Sequence, residues 1–209
     1  MFYGAGSGSG KSTLSRAVYQ KLFSHGMSAT HVPEEAMLIS QEFRPYMNAV
    51  QKGEGWDTDT LWKSCVAFLE TCRSSSSVHV TDSILPCSDW LLTAGVQPEK
   101  VSSFTEKLAD AMNDLPSMFV LVECDARVAL DRAIVDRGDD WARSLAINRC
   151  GSDDLDELLG YFAALQEVGK QVWSSWPHRK IKVNTTEDAL QSCVDEIACS
   201  LDISLSNSK

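Results

Sequence analysis

The chain has 209 residues, 44% of them hydrophobic and 23% charged, with a formal net charge of −10 at pH 7. These values fit one soluble α/β domain with room for a small lid, and the acidic balance argues against a nucleic-acid-backbone binder, which needs a basic face. Seven cysteines without a C-x-x-C pair, no signal peptide and no apolar run of membrane-spanning length point to a reduced, cytoplasmic protein without a disulfide framework or a membrane span.

The first element is a strand of only Met1, Phe2 and Tyr3, short for its position; either the central strand is very short or the native chain starts upstream. It feeds the run Gly4-Ala5-Gly6-Ser7-Gly8-Ser9-Gly10-Lys11-Ser12-Thr13, which has the form of a phosphate-binding loop. Glycines let the backbone curl until successive N–H groups point inward at phosphate oxygens, and the following helix adds its positive end. The binding set is therefore Gly6, Ser7, Gly8, Ser9, Gly10, Lys11, Ser12 and Thr13. Lys11 reaches the β- and γ-phosphates, and the Ser12 hydroxyl ligates Mg²⁺. The first glycine of the strict pattern is replaced by Ala5, a small residue that the turn tolerates.

Leu14, Ala17, Val18 and Leu22 recur at helical spacing, so the first helix runs over 12–25 and stops at Gly26. A strand follows over 28–32, ending at Pro33-Glu34-Glu35, then a helical stretch over 36–51 that Gly53-Glu54-Gly55 breaks. Asp57 or Thr58 caps a helix carrying Leu61, Cys65, Phe68 and Leu69, which ends before the four-serine turn at 74–77. Val78-His79-Val80 is a strand closing on Thr81-Asp82, with His79 read as a satisfied core histidine. Pro98 opens a helix with Val101, Phe104, Leu108, Ala111 and Met112 on one face. Residues 118–123 form the clearest buried strand, a continuous apolar run ahead of Cys124-Asp125. A helix over 127–136, a polar segment to Arg149 and a long helix over 155–173 follow. The last strand covers 181–184; Thr185 or Thr186 caps a helix over 189–201, and 204–209 form a frayed tail. Alternating strands and helices predict one α/β domain over 1–209, a parallel sheet with helices on both faces. Ligands in such sheets sit beyond the carboxyl ends of the strands, which singles out the loop, Glu34-Glu35, Asp82 and Asp125.

Asp82 ends an apolar strand, as a metal partner beside Ser12 or as the base that takes a proton from an acceptor hydroxyl. Glu34 and Glu35 follow the second strand, where a carboxylate orients and deprotonates a hydroxyl or simply starts a solvated helix; Glu34 is the first choice. Arg132, Arg137, Arg143 and Arg149, with Gly138 among them, suit a lid over 137–149 whose cations meet the charge of a transferring phosphoryl group. Arg132 and Arg143 are the preferred pair by their place near the hinge. The alternative for each is a surface arginine paired with Asp131, Asp136, Asp139 or Asp140. Trp56, Trp62, Trp90, Phe43 and Tyr46 are either core or a flat surface for a nucleobase.

The loop, the Pro33-Glu34-Glu35 strand end, Val78 to Ser83, Phe119 to Asp125 with Ala129 to Arg132, Arg137-Gly138 and Asn184-Thr185-Thr186 together resemble phosphate-loop kinases of the thymidylate kinase and deoxynucleoside kinase type. The resemblance implies a P-loop kinase fold with a parallel five-stranded sheet of order 2-3-1-4-5, ATP with Mg²⁺, and a lid after the fourth strand. It implies that adenine packs near Asn184-Thr185-Thr186. One departure bears on the acceptor: family members follow the acidic residue of the third strand with Arg, whereas Asp82 is followed by Ser83. The expectation is an ATP-dependent kinase of a small hydroxylated molecule, nucleoside-like or an antibiotic or other metabolite, with a homodimer left open. The alternative is a regulatory P-loop NTPase that hydrolyses nucleotide and binds a protein partner.

Overall fold

In a strand buried on both faces every side chain is apolar, and the chain has one such run. The computed structural model describes residues 1–4, 6–52, 57–82, 85, 88–186 and 189–201, without the side chains of Asp89, Trp90 and Thr93. Within it, Met118–Glu123 (β4) lies between Phe2–Tyr3 (β1) and Arg179–Asn184 (β5), parallel to both. Phe119 and Leu121 point to one side; Met118, Val120 and Val122 point to the other. Ala29–Val32 (β2) and Val78–Thr81 (β3) form a second parallel pair. Among the described residues a single parallel bridge, Phe2 to Asp82, joins the two parts. The sheet is thus paired as three strands plus two, because β1 contributes only two residues to hold them together.

Helix Lys11–Ser24 (α1) fills one face with Leu14, Val18 and Leu22, beside the last helix, Leu190–Ser200 (α10), with Val194 and Ile197. The opposite face carries the larger core. Thr58–Ser74 (α4) buries Leu61, Cys65, Phe68 and Leu69, and Pro98–Ala111 (α6) buries Val101, Phe104 and Leu108. Of the two proposed caps of α4, Asp57 is the one used: its carboxylate accepts from the amides of Asp59 and Thr60. A short helix, Ser88–Thr93 (α5), precedes α6 and has no counterpart in the sequence reading. The long helix Leu155–Ser175 (α9) crosses this face, and its Gly169 leaves room for the Tyr3 ring of β1 where any Cβ would overlap it.

Four expectations change. The helical stretch over 36–51 divides into Glu34–Leu38 (α2) and Arg44–Gln51 (α3), since Pro45 sits in the first turn of a new helix. The polar segment after Ala126–Arg137 (α7) is a helix, Asp139–Cys150 (α8), which buries Ala142 and packs Ala146 with Leu130, Leu158 and Phe162. Small apolar residues spaced four apart give a narrow stripe that a count of charged residues hides. The final helix starts at Ala189 with no side-chain cap; Thr185 and Thr186 spend their hydroxyls elsewhere. His79 is not satisfied: neither ring nitrogen has a hydrogen-bond partner, and its ring meets Phe68 edge-on. Residues 204–209, Gly53-Glu54-Gly55 and Trp56 lie outside the described residues.

A Cβ on Gly169 would overlap the Tyr3 ring, and burial on both sides leaves the ring no retreat. Gly169→Val is expected to destabilise the fold by about 1–3 kcal/mol through overpacking. Urea unfolding measures it, with Gly160→Val, at a position whose Cβ meets nothing within 4 Å, as the control.

Candidate active site

Between Tyr3 of β1 and Lys11 of α1 the chain has to turn sharply without filling the turn. Gly8 has φ +82°, and a Cβ there would overlap the Ala129 carbonyl of α7, so no side chain fits. Gly10 caps α1 in the left-handed region at φ 86° and offers no side-chain acceptor to the first helical amides. Those amides and the positive end of a 14-residue helix therefore face outward, ready for an anion. Lys11 Nζ lies 3.5 Å from Gly6 O, folded back over the loop it follows. Phe162 of α9 backs the loop at Gly6, 3.0 Å from where a Cβ would stand.

The loop borders a cavity of about 490 Å³, lined by Ser7–Thr13, Arg132, Ala133, Asp136, Arg137, Thr185 and Leu190. Every described residue of the predicted binding set except Gly6 lines it directly. Thr185, at the end of β5, holds the loop from the far side: its hydroxyl lies 2.7 Å from Ser9 O and 3.1 Å from Glu123 O. Arg132 is fixed across the cavity by a bond from Nη2 to Thr185 O at 3.0 Å. Its other arm lies 3.5 Å from Cys124 Sγ.

Of the remaining arginines, Arg137 enters the cavity wall, with Nη1 3.4 Å from Ser7 Oγ and its guanidinium over the Trp141 ring. Arg143 is not among the lining residues; it faces Asp153 at 3.8 Å on an exposed surface. The helical form of 139–150 is the reason, since α8 turns Arg143 outward beside buried Ala142. Sequence spacing ranked Arg137 behind Arg143. The signal for it was the Gly138 that follows, which ends α7 with Arg137 as its last residue.

Asp82 is 2% exposed at the carboxyl end of β3 and bridges to Phe2. Glu34 opens α2 half-buried, whereas Glu35 is exposed. His31 of β2, which the sequence reading passed over, joins this group. Its Nε2 lies 3.1 Å from Ser15 Oγ, which donates to Ser12 O at 3.1 Å, and its ring stacks on Tyr19. Burial lowers the His31 pKa; the negative charge of Asp82 opposes the shift and Arg16 adds to it. Phe43 and Tyr46 are core, and Trp62 packs edge-on against Phe104 under the Lys107 ammonium. Trp90's side chain is outside the described set.

For a divalent cation, the hydroxyl of Ser12 and the carboxylate of Asp82 are hard oxygen donors suited to Mg²⁺. Among the described residues no three His, Cys, Asp or Glu side chains cluster as a protein cage. Of the two, Ser12 lines the cavity beside the loop and Asp82 is not among its lining residues. Among the described residues no helix is long and apolar enough to cross a membrane.

No protein-family model matches the sequence, and no curated protein is significantly similar to it. Solved structures do share its fold. A deoxyadenosine kinase from M. mycoides with bound dATP aligns with a TM-score of 0.56 at 16% identity, over 96% of this chain and 97% of that one. A deoxyadenosine kinase from the same source with bound dCTP gives 0.50 at 17%, over 97% of each. An APS kinase from Mycobacterium tuberculosis in complex with AMPPNP and APS gives 0.51 at 14%, over 96% of each. The chain has the α/β fold of P-loop kinases.

His31 and His79 both have pKa values lowered by burial, so the unfolded chain binds protons that the folded one resists. Stability is then full above the ordinary histidine value of about 6.5 and is lost as pH falls below it. Thermal unfolding between pH 7.5 and pH 5.5 is expected to show this fall, and the double variant His31→Gln/His79→Gln a flatter profile.

Proposed function

We propose that this chain is an ATP-dependent phosphotransferase that moves the γ-phosphoryl group to a hydroxyl of a small molecule, nucleoside-like or an antibiotic or other metabolite. The observation that carries the reading is the cavity of about 490 Å³ that joins an uncapped helix start with Lys11, Arg132 and Arg137, beside a single carboxylate, Asp136. A net charge of −10 with three cations gathered at one loop favours a compact anion over a polyanion. The Phe2–Asp82 bridge supports reading the two strand sets as one sheet of order 2-3-1-4-5. The fold-level neighbours, named for kinases of deoxyadenosine and of APS, point to the same class of reaction.

In this reading the loop amides and Lys11 hold the β- and γ-phosphates, while Arg132, Thr185 and Leu190 border the nucleoside end. Arg137 stands at the loop from the lid side and stabilises charge on the transferring oxygens, the role expected of Arg143. Ser12 and Asp82 would hold Mg²⁺, which supplies charge neutralisation between the phosphates when bound. Half-buried Glu34, near the Asp82 strand end, accepts the acceptor's hydroxyl proton as its oxygen attacks the γ-phosphorus and ADP departs. The segment 137–149 closes over the nucleotide as a lid pivoting at Gly138.

Lys11→Ala is expected to lower kcat by about 10²–10⁴, the scale for one lost electrostatic contact in a water-excluded site. The assay follows ADP release with panels of nucleosides and hydroxylated antibiotics; near-normal turnover by the folded variant would sink the reading. Turnover that ignores every added hydroxyl acceptor would instead favour a regulatory NTPase. Glu34→Gln is expected to lower kcat with ATP affinity kept and Glu35→Gln to do little. The reverse pattern moves the base to Glu35, and no effect from either moves it to Asp82. Amide exchange across 137–149 is expected to slow when AMPPNP binds.

A further inference from the structure

Arg132 and Arg137 both line the cavity at the loop, but they are held there by different means. Arg132, inside α7, is fixed by a backbone carbonyl, Thr185 O, and rests its other arm against Cys124 Sγ. Arg137 is the last residue of α7 and bonds to no backbone carbonyl among the described residues. Its guanidinium has three neighbours instead. Ser7 Oγ lies 3.4 Å from Nη1, the Asp136 carboxylate 3.8 Å from Nε, and the centroid of the Trp141 ring 5.0 Å from Cζ. The first is a long hydrogen bond. The second is a loose ion pair to a carboxylate that is 80% exposed, so both are weak in water. The ring is the broad contact: a cation is drawn to an indole face, and a stacked guanidinium keeps its N–H edge free for other partners. Among the described residues no contact uses Nη2, which stays available to an oxygen in the cavity.

Trp141 reaches Arg137 across a break in the chain and not along one helix. The two residues are four apart, the spacing of neighbours on a helical face, yet Gly138 between them has φ 91° and ψ 161°. That conformation is essentially confined to glycine. A Cβ at 138 would meet nothing within 4 Å, so glycine is needed there for its backbone angles and not for space. The contact is therefore made by the angle between α7 and α8. What sets this angle lies on the other side of α8: Ala142, next to Trp141, is fully buried, and Ala146 packs with Leu130, Leu158 and Phe162. Phe162 is also the ring that backs the loop at Gly6. Helix α8 and the loop are thus seated on one aromatic side chain, and Trp141 carries that common reference to Arg137.

We infer that Trp141 is a positioning residue: its ring holds the Arg137 guanidinium at the loop, so that the seating of α8 decides whether this charge is present there. Arg132 stays in place regardless. A swing of α8 about Gly138 takes the ring away and releases Arg137 alone. The inference rests on the proposed function only in taking the cavity to bind phosphate, and not on which acceptor is used.

The test measures the affinity of the full chain for tripolyphosphate by calorimetry, in double-mutant cycles that pair Trp141→Leu with Arg137→Met and, separately, with Arg132→Met. Trp141→Leu keeps an apolar side chain beside Ala142 and removes the ring face. It is expected to weaken binding about two- to fivefold, the scale of one cation–π contact at a half-exposed site. The same change is expected to do nothing in the Arg137→Met background and to have its full effect in the Arg132→Met background. Trp141→Phe, which keeps a smaller ring face, is expected to recover part of the loss, and it carries the same cycles if Trp141→Leu does not fold. Equal losses in both arginine backgrounds would overturn the inference, because a merely structural role for Trp141 disturbs the cavity whichever arginine is present. So would no loss from Trp141→Leu alone. A second readout needs no anion: by NMR relaxation the Arg137 Nε–H is expected to become more mobile in Trp141→Leu, and the Arg132 Nε–H to stay as it was. An unchanged Arg137 also overturns the inference. If the unsubstituted chain binds no tripolyphosphate while Arg137 alone loosens, the proposed function falls and the positioning by Trp141 stands.

Discussion

The glycine-rich loop ahead of α1 keeps its shape because three separate elements press on it where only small atoms fit. The Ala129 carbonyl of α7 occupies the space a side chain on Gly8 would need, Phe162 of α9 does nearly the same at Gly6, and Thr185 clamps Ser9 from β5. None of these contacts is large in energy. Together they remove the freedom that a glycine-rich segment otherwise has, so the loop's amides are oriented before any ligand arrives. An oriented donor set costs no reorganisation when charge develops, which in the proposed reading suits the loop to a transferring phosphoryl group.

The charge distribution follows the same division of labour. An acidic chain repels anions at a distance, but that repulsion is screened over about 10 Å of salt solution, whereas Lys11, Arg132 and Arg137 act at contact range. Arg132 is tethered to a backbone carbonyl and Arg137 to a serine hydroxyl and an aromatic ring. Arg137 also has the Asp136 carboxylate at 3.8 Å, a looser pairing than that of Arg73, which has Glu70 and Asp114 both within 3 Å. Among the described residues Arg132 has no such ion pair, and its charge faces the cavity.

How much of this was legible in the sequence depended on whether the deciding contact is local. The loop, α1 and β4 were readable because glycine spacing, helical periodicity and a continuous apolar run are properties of neighbouring residues. So was a cap at Asp57 or Thr58, of which Asp57 is the one used. The break between α2 and α3 was missed although Pro45 marked it, and α8 was hidden behind its charged residues. The role of Thr185 was unreadable, because a hydroxyl beside a helix start looks like a cap and its true acceptors lie far off in sequence. Arg143 and Arg137 differ by six positions; only the turn at Gly138 decides which meets the loop.

The hydroxyl of Thr185 and the carbonyl of Ser9 are separated by 176 positions, and Met1 and Met118 by 117. A ribosome therefore emits the loop 176 residues ahead of its clamp. At about 5–20 residues per second, the glycine-rich segment spends on the order of ten seconds without the β4, α9 and β5 surfaces that shape it. Throughout that interval it cannot present an ordered cradle. In the proposed reading, nucleotide binding therefore waits until β5 has been made and has docked, and from then on the ligand adds its own binding free energy to the fold.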